Sequence, residues 1–346
     1  MSQYGAKGAA LAGWDSSRIL AHYYRGTNLT QAPGGAIRVL LAARRTQVRV
    51  KSSEPWQAVD ETASPETAVA LALDTEYVLR PGAAGTEAVD PAGTVAARFP
   101  GNFRVQTDDP AGAVRLGAVR YRGALRVVPS GGRIDVVNVA GLEQYLYGVV
   151  PREMPAGWGD MAPAALEAQA IAARTYAMAG VKPQAGYDLT NDQRSQVYGG
   201  VAAEDPRTTA AVDATKGKIL TFQGSVITAF FFSTSGGRTE SVENVFPKSP
   251  PLPYLVSVPD PFDKESPYHR AWPQPVSVTG GKLARMFGLS APVVRVQVLK
   301  RGASPRVLLA RLVARDGSRI DVTGAQLRLS LGLRDTWFTV RRQAAA

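Results

Sequence analysis

The spacing of apolar residues divides the chain into helical and extended stretches. Two short helices are expected over residues 1–29. In the second, Asp15 or Ser16 stands as a cap, Ile19, Leu20, Tyr23 and Tyr24 form a stripe, and Gly26 marks the stop. The tyrosines read equally well as core. From residue 34 to 128 the spacing changes to short apolar runs (37–41, 48–50, 77–79 and 95–99) cut by Pro, Gly, Asp and Ser, which predicts β-structure with many turns. The tract 81–85 and the group Asp108, Asp109, Pro110 read as exposed loops. Runs at 125–128 and 134–139 flank Pro129-Ser130-Gly131-Gly132, a strong hairpin signal. Beyond Pro163 an Ala-rich helix is expected as far as Gly180, with Leu166, Ala170, Ala173 and Ala177 on one face. Gln169, Arg174 and Tyr176 within it could be surface or cleft-lining groups. A further helix is expected at 208–215. A hairpin around Gln223-Gly224 follows, and its second strand, 226–232, is apolar on both faces and so reads as central in a sheet. Residues 245–275 are Pro-rich and irregular, and contain Asp260, Asp263, Tyr268 and Trp272. The chain returns to β-structure at 293–299, 307–313 and 320–322, with short helices at 282–287 and 326–331. Residues 341–346 read as a frayed tail.

These elements predict an α+β fold. It is β-rich, with mainly antiparallel sheets and a long Ala-rich helix beside an acidic turn. The expected division is a helical block over 1–29, a β-rich accessory domain over 30–120, a core domain over 121–340 and the tail.

The 346 residues are 45% hydrophobic and 20% charged, ordinary for a globular protein. No run approaches a membrane span. The opening MSQYGAKGAALAGW lacks the apolar core and cleavage site of a secretory signal. There is no cysteine, so disulfides, thiolate chemistry and Cys-based zinc sites are excluded. His22 and His269 are far apart, which makes a His-rich metal centre or a His-based triad improbable. A net charge of +11 favours anionic partners, but the basic residues are scattered apart from pairs such as Arg44-Arg45 and Arg341-Arg342. No nucleic-acid module is present.

One stretch carries candidate chemistry. LEQYLYGVVPREMP, residues 142–155, sets Glu153 in a Pro-bounded turn before the Ala-rich helix. Apolar neighbours would raise its pKa and prepare it to donate a proton. Arg152 and a nearby helix N-terminus would act the other way. Taken alone, Glu153 reads more readily as a turn or salt-bridge residue than as a catalyst. Ordinary glycosidases need two carboxylates; Asp160, Asp192 and Glu240 are the available partners. A lytic route needs only one. Ser233 to Glu240, at the end of an apolar strand, reads as a polar turn or as a binding rim, where glycine N–H groups and hydroxyls could meet a ligand. It is not a phosphate loop, because the Gly-Lys-Ser/Thr ending is missing.

Several blocks together resemble the SpoIID/LytB family of cell-wall proteins. They are LEQYLYGVVPREMPAGW with ALEAQAIAARTYA, then SQVYGG, STSGGRTESVENVF, YLVSVPDPFD and GLRDTWF. The resemblance covers about residues 120–340. It implies a lytic transglycosylase acting on peptidoglycan glycan strands stripped of stem peptides, with Glu153 as catalytic acid/base. It further implies a substrate cleft bordered by Gln3, Gln169, Tyr198, Ser233, Ser235, Gly236, Gly237 and Thr239. The family also implies an extracytoplasmic location, and a non-catalytic alternative: a cell-wall binder that enhances a separate amidase. Some relatives hold zinc through Cys and His near the Ser-Gly-Gly block. This chain has Ser233 and Ser235 there, so neither metal nor cofactor is expected. MSQYGA at the start resembles a block that closes the domain in many relatives. A permuted order is expected, with a true start that lies further upstream.

Overall fold

The computed structural model describes residues 1–246, 248–269 and 275–341. Trp272, Arg342 and the expected tail beyond residue 341 lie outside the described residues. The mixed α+β class is the observed one, with sheets that are almost wholly antiparallel. The chain forms two compact units, described separately below.

The larger unit comprises residues 10–20 and 27–231. Its seven-stranded sheet runs in the order Leu189–Thr190, Ala36–Arg45, Ile134–Gly141, Ala124–Pro129, Phe103–Thr107, Trp56–Asp60, Thr67–Leu71. Only the first pairing is parallel. The expected hairpin forms its centre, in register from Ala124 opposite Val139 to Pro129 opposite Ile134. Gly131 and Gly132 both hold positive φ in its turn, which side-chain-bearing residues rarely adopt. Strands from both sides of residue 120 share this sheet. A second sheet orders Val119–Arg122, Ala113–Leu116, Val48–Lys51, Tyr77–Gly82, Gly85–Val89, Val95–Phe99. Residues 81–85, expected as an exposed loop, are instead the tip of a hairpin in which Gly82 pairs with Gly85. Strands such as Trp56–Asp60 and Phe103–Thr107 were not among the expected runs. Each is half polar, yet its alternate positions, Trp56, Ala58, Phe103 and Val105, are buried.

Helices α1 (Gln3–Leu11) and α2 (Ser16–Tyr23) form where expected, and Asp15 caps the second by accepting from the Arg18 N–H at 2.7 Å. The expected tyrosine stripe is buried. Helix α3 (Leu142–Glu153), α4 (Pro163–Ala179) and α5 (Pro206–Ala214) follow. The core of the unit joins sheet residues Trp56, Phe103 and Leu125 to Tyr145, Leu146 and Val149 of α3 and Ala170, Ala173 and Ala177 of α4. One expected strand is corrected here. Residues 226–232 are not a central strand: Ser225–Val226 pair at the edge of a three-stranded sheet with Asn28–Gln31 and Lys218–Phe222, and Phe232 makes an isolated bridge to Ser2. Apolar side chains on both faces mark burial, and here Ile227 and Ala229 are buried without a ladder.

The smaller unit comprises residues 1–9, 21–26 and the chain from Phe232 onward. The expected N-terminal block is thus divided, with residues 1–9 and 21–26 in the same unit as the C-terminal third and the rest in the larger unit. Its sheet, Val293–Arg301, Val307–Ala314, Arg319–Thr323, packs with the helices Gly280–Phe287 and Gly324–Leu331 around Leu283, Val307, Leu312, Val322 and Leu327.

Candidate active site

In the larger unit, Glu153 is the last residue of α3 rather than part of a free turn. Pro151 lies in the final helical turn, where it cannot donate to the preceding turn. The loop 195–200 lies along this turn. Val197 N–H donates to Glu153 Oε1 at 3.0 Å, and Gly199 N–H donates to the Gly148 carbonyl at 3.0 Å.

Side chains on either side of Val197 anchor that loop in the core. Tyr145 donates its hydroxyl to Gln196 Oε1 (3.1 Å), and Gln196 Nε2 donates to the Ala173 carbonyl of α4 (3.3 Å). Tyr198 donates to Asn138 Oδ1 at 3.0 Å, and its ring lies 4.9 Å from Tyr145 and 5.4 Å from Tyr121, centroid to centroid. Glycine is required where these pieces meet. A Cβ on Gly148 would sit 2.7 Å from the Tyr198 ring and 3.0 Å from the Gly200 carbonyl oxygen. Gly200 has φ +62, and a Cβ there would fall 2.3 Å from the Arg120 carbonyl oxygen.

The opposed influences on Glu153 resolve in favour of burial. Desolvation raises its pKa above the ordinary carboxylate value, and the Val197 hydrogen bond offsets part of the rise. Its charge in turn adds to the upward shifts of the Tyr145 and Tyr176 hydroxyls, which burial dominates. The expected opposition from Arg152 is not among the causes.

The other acids near it in sequence are differently employed. Asp160 pairs with Arg207 (2.9 Å) and is exposed. Asp192 is held down to about 2 by hydrogen bonds from the Arg194 side chain and backbone. Glu143, at the start of α3, takes the buried Arg174 guanidinium of α4, with Nη2 to Oε2 at 2.6 Å and Nε to Oε1 at 3.0 Å. Arg174 also donates to the Val212 and Lys218 carbonyls, and Gly217 N–H donates to Glu143. This network fixes α3 to α4 and to the Lys218–Phe222 strand. Gln169 and Arg174, left open between surface and cleft, are both fully buried.

The remaining candidates, Gln3, Ser233, Ser235, Gly236, Gly237 and Thr239, belong to the smaller unit. Here the Ser-Gly-Gly segment wraps two buried aspartates. Asp263 accepts from the N–H groups of Ser235 (2.7 Å) and Gly236 (2.9 Å), from the Ser2 and Thr234 hydroxyls, and lies 3.0 Å from His269 Nδ1. Asp260 accepts from the Ser235 and Tyr23 hydroxyls, and its pKa is raised by burial. The amides read from sequence as ligand donors are therefore spent on Asp263, and Gly237 N–H on Ser235 Oγ. Thr239 accepts from Val258 N–H at 2.8 Å and is buried. Gln3 is buried at the head of α1, its N–H donating to the Phe232 carbonyl. Ser233 is exposed. Two motifs separated in sequence, STSGGRTESVENVF and YLVSVPDPFD, thus bind each other. Glu240 accepts from Ser304 and Asn244 and is held below the usual range, although burial alone would raise it. The described residues contain no group of three or more His, Cys, Asp or Glu side chains placed to hold a metal.

Sequence reasoning missed Gln196, Asn138, Gly148 and the Val197 amide. Their roles come from partners 14 to 60 positions away. The paired glycines of Tyr198-Gly199-Gly200 were the available signal.

Residues 130–222 match the family model described as SpoIID, stage II sporulation protein. The chain is 40% identical over 147 residues to stage II sporulation protein D of Bacillus subtilis, covering 38% of this chain and 41% of that protein. It is 38% identical over 146 residues to an uncharacterized protein of Brachyspira hyodysenteriae, covering 41% of this chain and 38% of that one. The amidase enhancer of Bacillus subtilis is 41% identical over 120 residues, 35% of this chain and 16% of that protein. The chain thus spans about two fifths of the first two relatives. The similarity to the SpoIID/LytB family holds over the segment that carries α3, Glu153, α4 and the loop 195–200.

Proposed function

We propose that this chain is a peptidoglycan lytic transglycosylase that cuts glycan strands lacking stem peptides, with Glu153 as its one general acid/base. The observation that carries the reading is a carboxyl whose proton affinity is raised by burial, at the end of a helix braced by the loop 195–200. In its acid form Glu153 gives its proton to the glycosidic oxygen as the bond to C1 breaks. The resulting carboxylate then takes the proton of the sugar's own 6-hydroxyl, whose oxygen attacks C1 and closes the anhydro ring. One group serves both steps and no water is consumed. Asp160 and Asp192 are each committed to an arginine, which favours this route over a two-carboxylate hydrolysis.

The names of the relatives, a sporulation protein and an amidase enhancer, support a role in the cell wall. On this reading the protein works outside the cytoplasmic membrane and no cofactor takes part. No helix among the described residues is long and apolar enough to cross a membrane. Of the proposed contacts, the exposed Ser233 touches the glycan, whereas the Gly236 and Gly237 N–H groups are already committed within the smaller unit. Gln3, Gln169, Tyr198, Ser235 and Thr239 are buried and act as positioning residues, each within its own unit. A second reading, a non-catalytic wall binder that enhances an amidase, is favoured by the amidase-enhancer relative.

Incubation with peptide-free glycan strands separates the two. The first reading expects anhydromuramic ends from the parent protein and none from Glu153→Gln. Equal product from both, or none from the parent, removes the catalytic role. Stimulation of a purified amidase by the Glu153→Gln protein would then establish the second.

A further inference from the structure

The smaller unit contains a cavity of about 190 Å³ lined by Thr234, Gly236, Tyr268, Arg306, Asp335 and Trp337. That is well below the roughly 300–1,000 Å³ of pockets for drug-sized ligands. It is about the size of one sugar ring.

Its charge is neutralised from within. The Arg306 guanidinium has five N–H groups, and the four on its terminal nitrogens each have an acceptor. Nε pairs with Asp335 Oδ1 at 3.0 Å and Nη2 with Asp335 Oδ2 at 3.1 Å. Nη2 also donates to the Ser235 carbonyl, and Nη1 to the Arg238 carbonyl and Ser304 Oγ. The terminal N–H groups are committed, and the Asp335 carboxylate offsets the positive charge that an anionic ligand would seek. Arg306 is therefore a strut. It holds Asp335, and Asp335 Oδ1 in turn accepts the backbone N–H of Trp337 at 2.8 Å.

The indole rests against Gly236. A Cβ there would come within 3.2 Å of Trp337 Cε3 and Cζ3, and Gly236 also holds φ +72, so glycine is needed on two counts. Arg306 stands 5.5 Å from the Trp337 ring centroid. The cavity thus combines an aromatic wall with lining charges, Arg306 and Asp335, that pair with each other. A pyranose matches both: its axial C–H groups lie against an aromatic face, and it carries no charge.

We infer that this cavity is a subsite for one neutral pyranose ring, with Trp337 as its platform. Building on the glycan reading above, the ring is an N-acetylhexosamine of the strand.

The test is titration of the full chain with a trimer of N-acetylglucosamine, followed by indole fluorescence and calorimetry. A trimer of a uronic acid serves as the anionic control. The neutral trimer should bind, the uronic trimer should bind at least tenfold more weakly, and Trp337→Ala should lose at least tenfold in affinity. Trp337→Phe, which keeps an aromatic wall, should retain most of it, and melting curves of both variants report whether the unit is folded. Folded Trp337→Ala that binds like the parent overturns the subsite, as does preference for the uronic trimer. Glu153→Gln should bind like the parent. Trp337-dependent binding without anhydro product would remove the transglycosylase reading and leave the subsite standing. Anhydro product with a KM unchanged in Trp337→Ala would do the reverse.

Discussion

Replacing Glu143 tests how the candidate acid is held. Arg174 is fully buried, and Glu143 supplies its only countercharge among the described residues, at 2.6 Å, with 18% of its side chain exposed. Glu143→Ala leaves the guanidinium in the core with neutral acceptors only: Val212 O, Lys218 O and Thr215 Oγ1. Breaking a buried pair from one side costs about 3–5 kcal/mol, because the remaining charge stays desolvated. For a unit of about 200 residues that corresponds to a fall in melting temperature of about 6–20 °C. Glu143→Gln keeps the shape and some hydrogen bonds, so it should fall at the lower end. The double variant Glu143→Leu, Arg174→Met removes both charges and should cost less than either single truncation. Calorimetric melting of the parent, Glu143→Leu, Arg174→Met and the double variant supplies the cycle. Because α3 ends on Glu153, cleavage of glycan strands should fall with the single variants and recover in part in the double. A Glu143→Ala protein melting within about 2 °C of the parent would refute the reasoning, as would a double variant whose cost equals the sum of the singles.

Three further predictions are independent of that pair. The raised pKa of Glu153 means the folded state binds its proton more tightly than the unfolded chain. Its contribution to stability is therefore fully present below the ordinary glutamate value of 4.5 and is lost as pH rises through the folded value. Glu153→Gln should then melt higher than the parent at neutral pH and equal to it in acid, and a difference of the opposite sign would contradict the assignment. Gly148→Ala, which in an exposed helix would gain about 1 kcal/mol, should instead cost about 1–3 kcal/mol by driving a Cβ into Tyr198 and Gly200, as measured by urea denaturation. Tyr198→Phe should cost about 1–3 kcal/mol by leaving Asn138 Oδ1 unsatisfied in the core. It should leave glycan affinity unchanged, and loss of affinity in a folded protein would make Tyr198 a direct contact.

Much of the fold was legible before any coordinates. The Ala-rich α4, the hairpin at 124–141 and the last three strands are local features, set by periods of 3.6 and 2 and by turn residues. Residues 226–232 misled because an apolar run reports burial, and burial does not require a ladder. Strands such as Phe103–Thr107 went unread because only alternate positions are buried. Glu153 was legible as an isolated acid among aromatic residues, and its motif context singled it out. Whether that acid would be raised or lowered was not legible. Arg152 is its neighbour in sequence, but the atoms that act on it are the Val197 amide and the surrounding core. Likewise Ser235 and Gly236 read as donors awaiting a ligand, and only the tertiary structure brought Asp263 to them from 27 and 28 residues away. The sequence by itself determined most local elements and turns and singled out the candidate acid, because these depend on neighbours within a few residues. Partnership, desolvation and charge balance depend on which distant groups arrive, and the packed structure decided those.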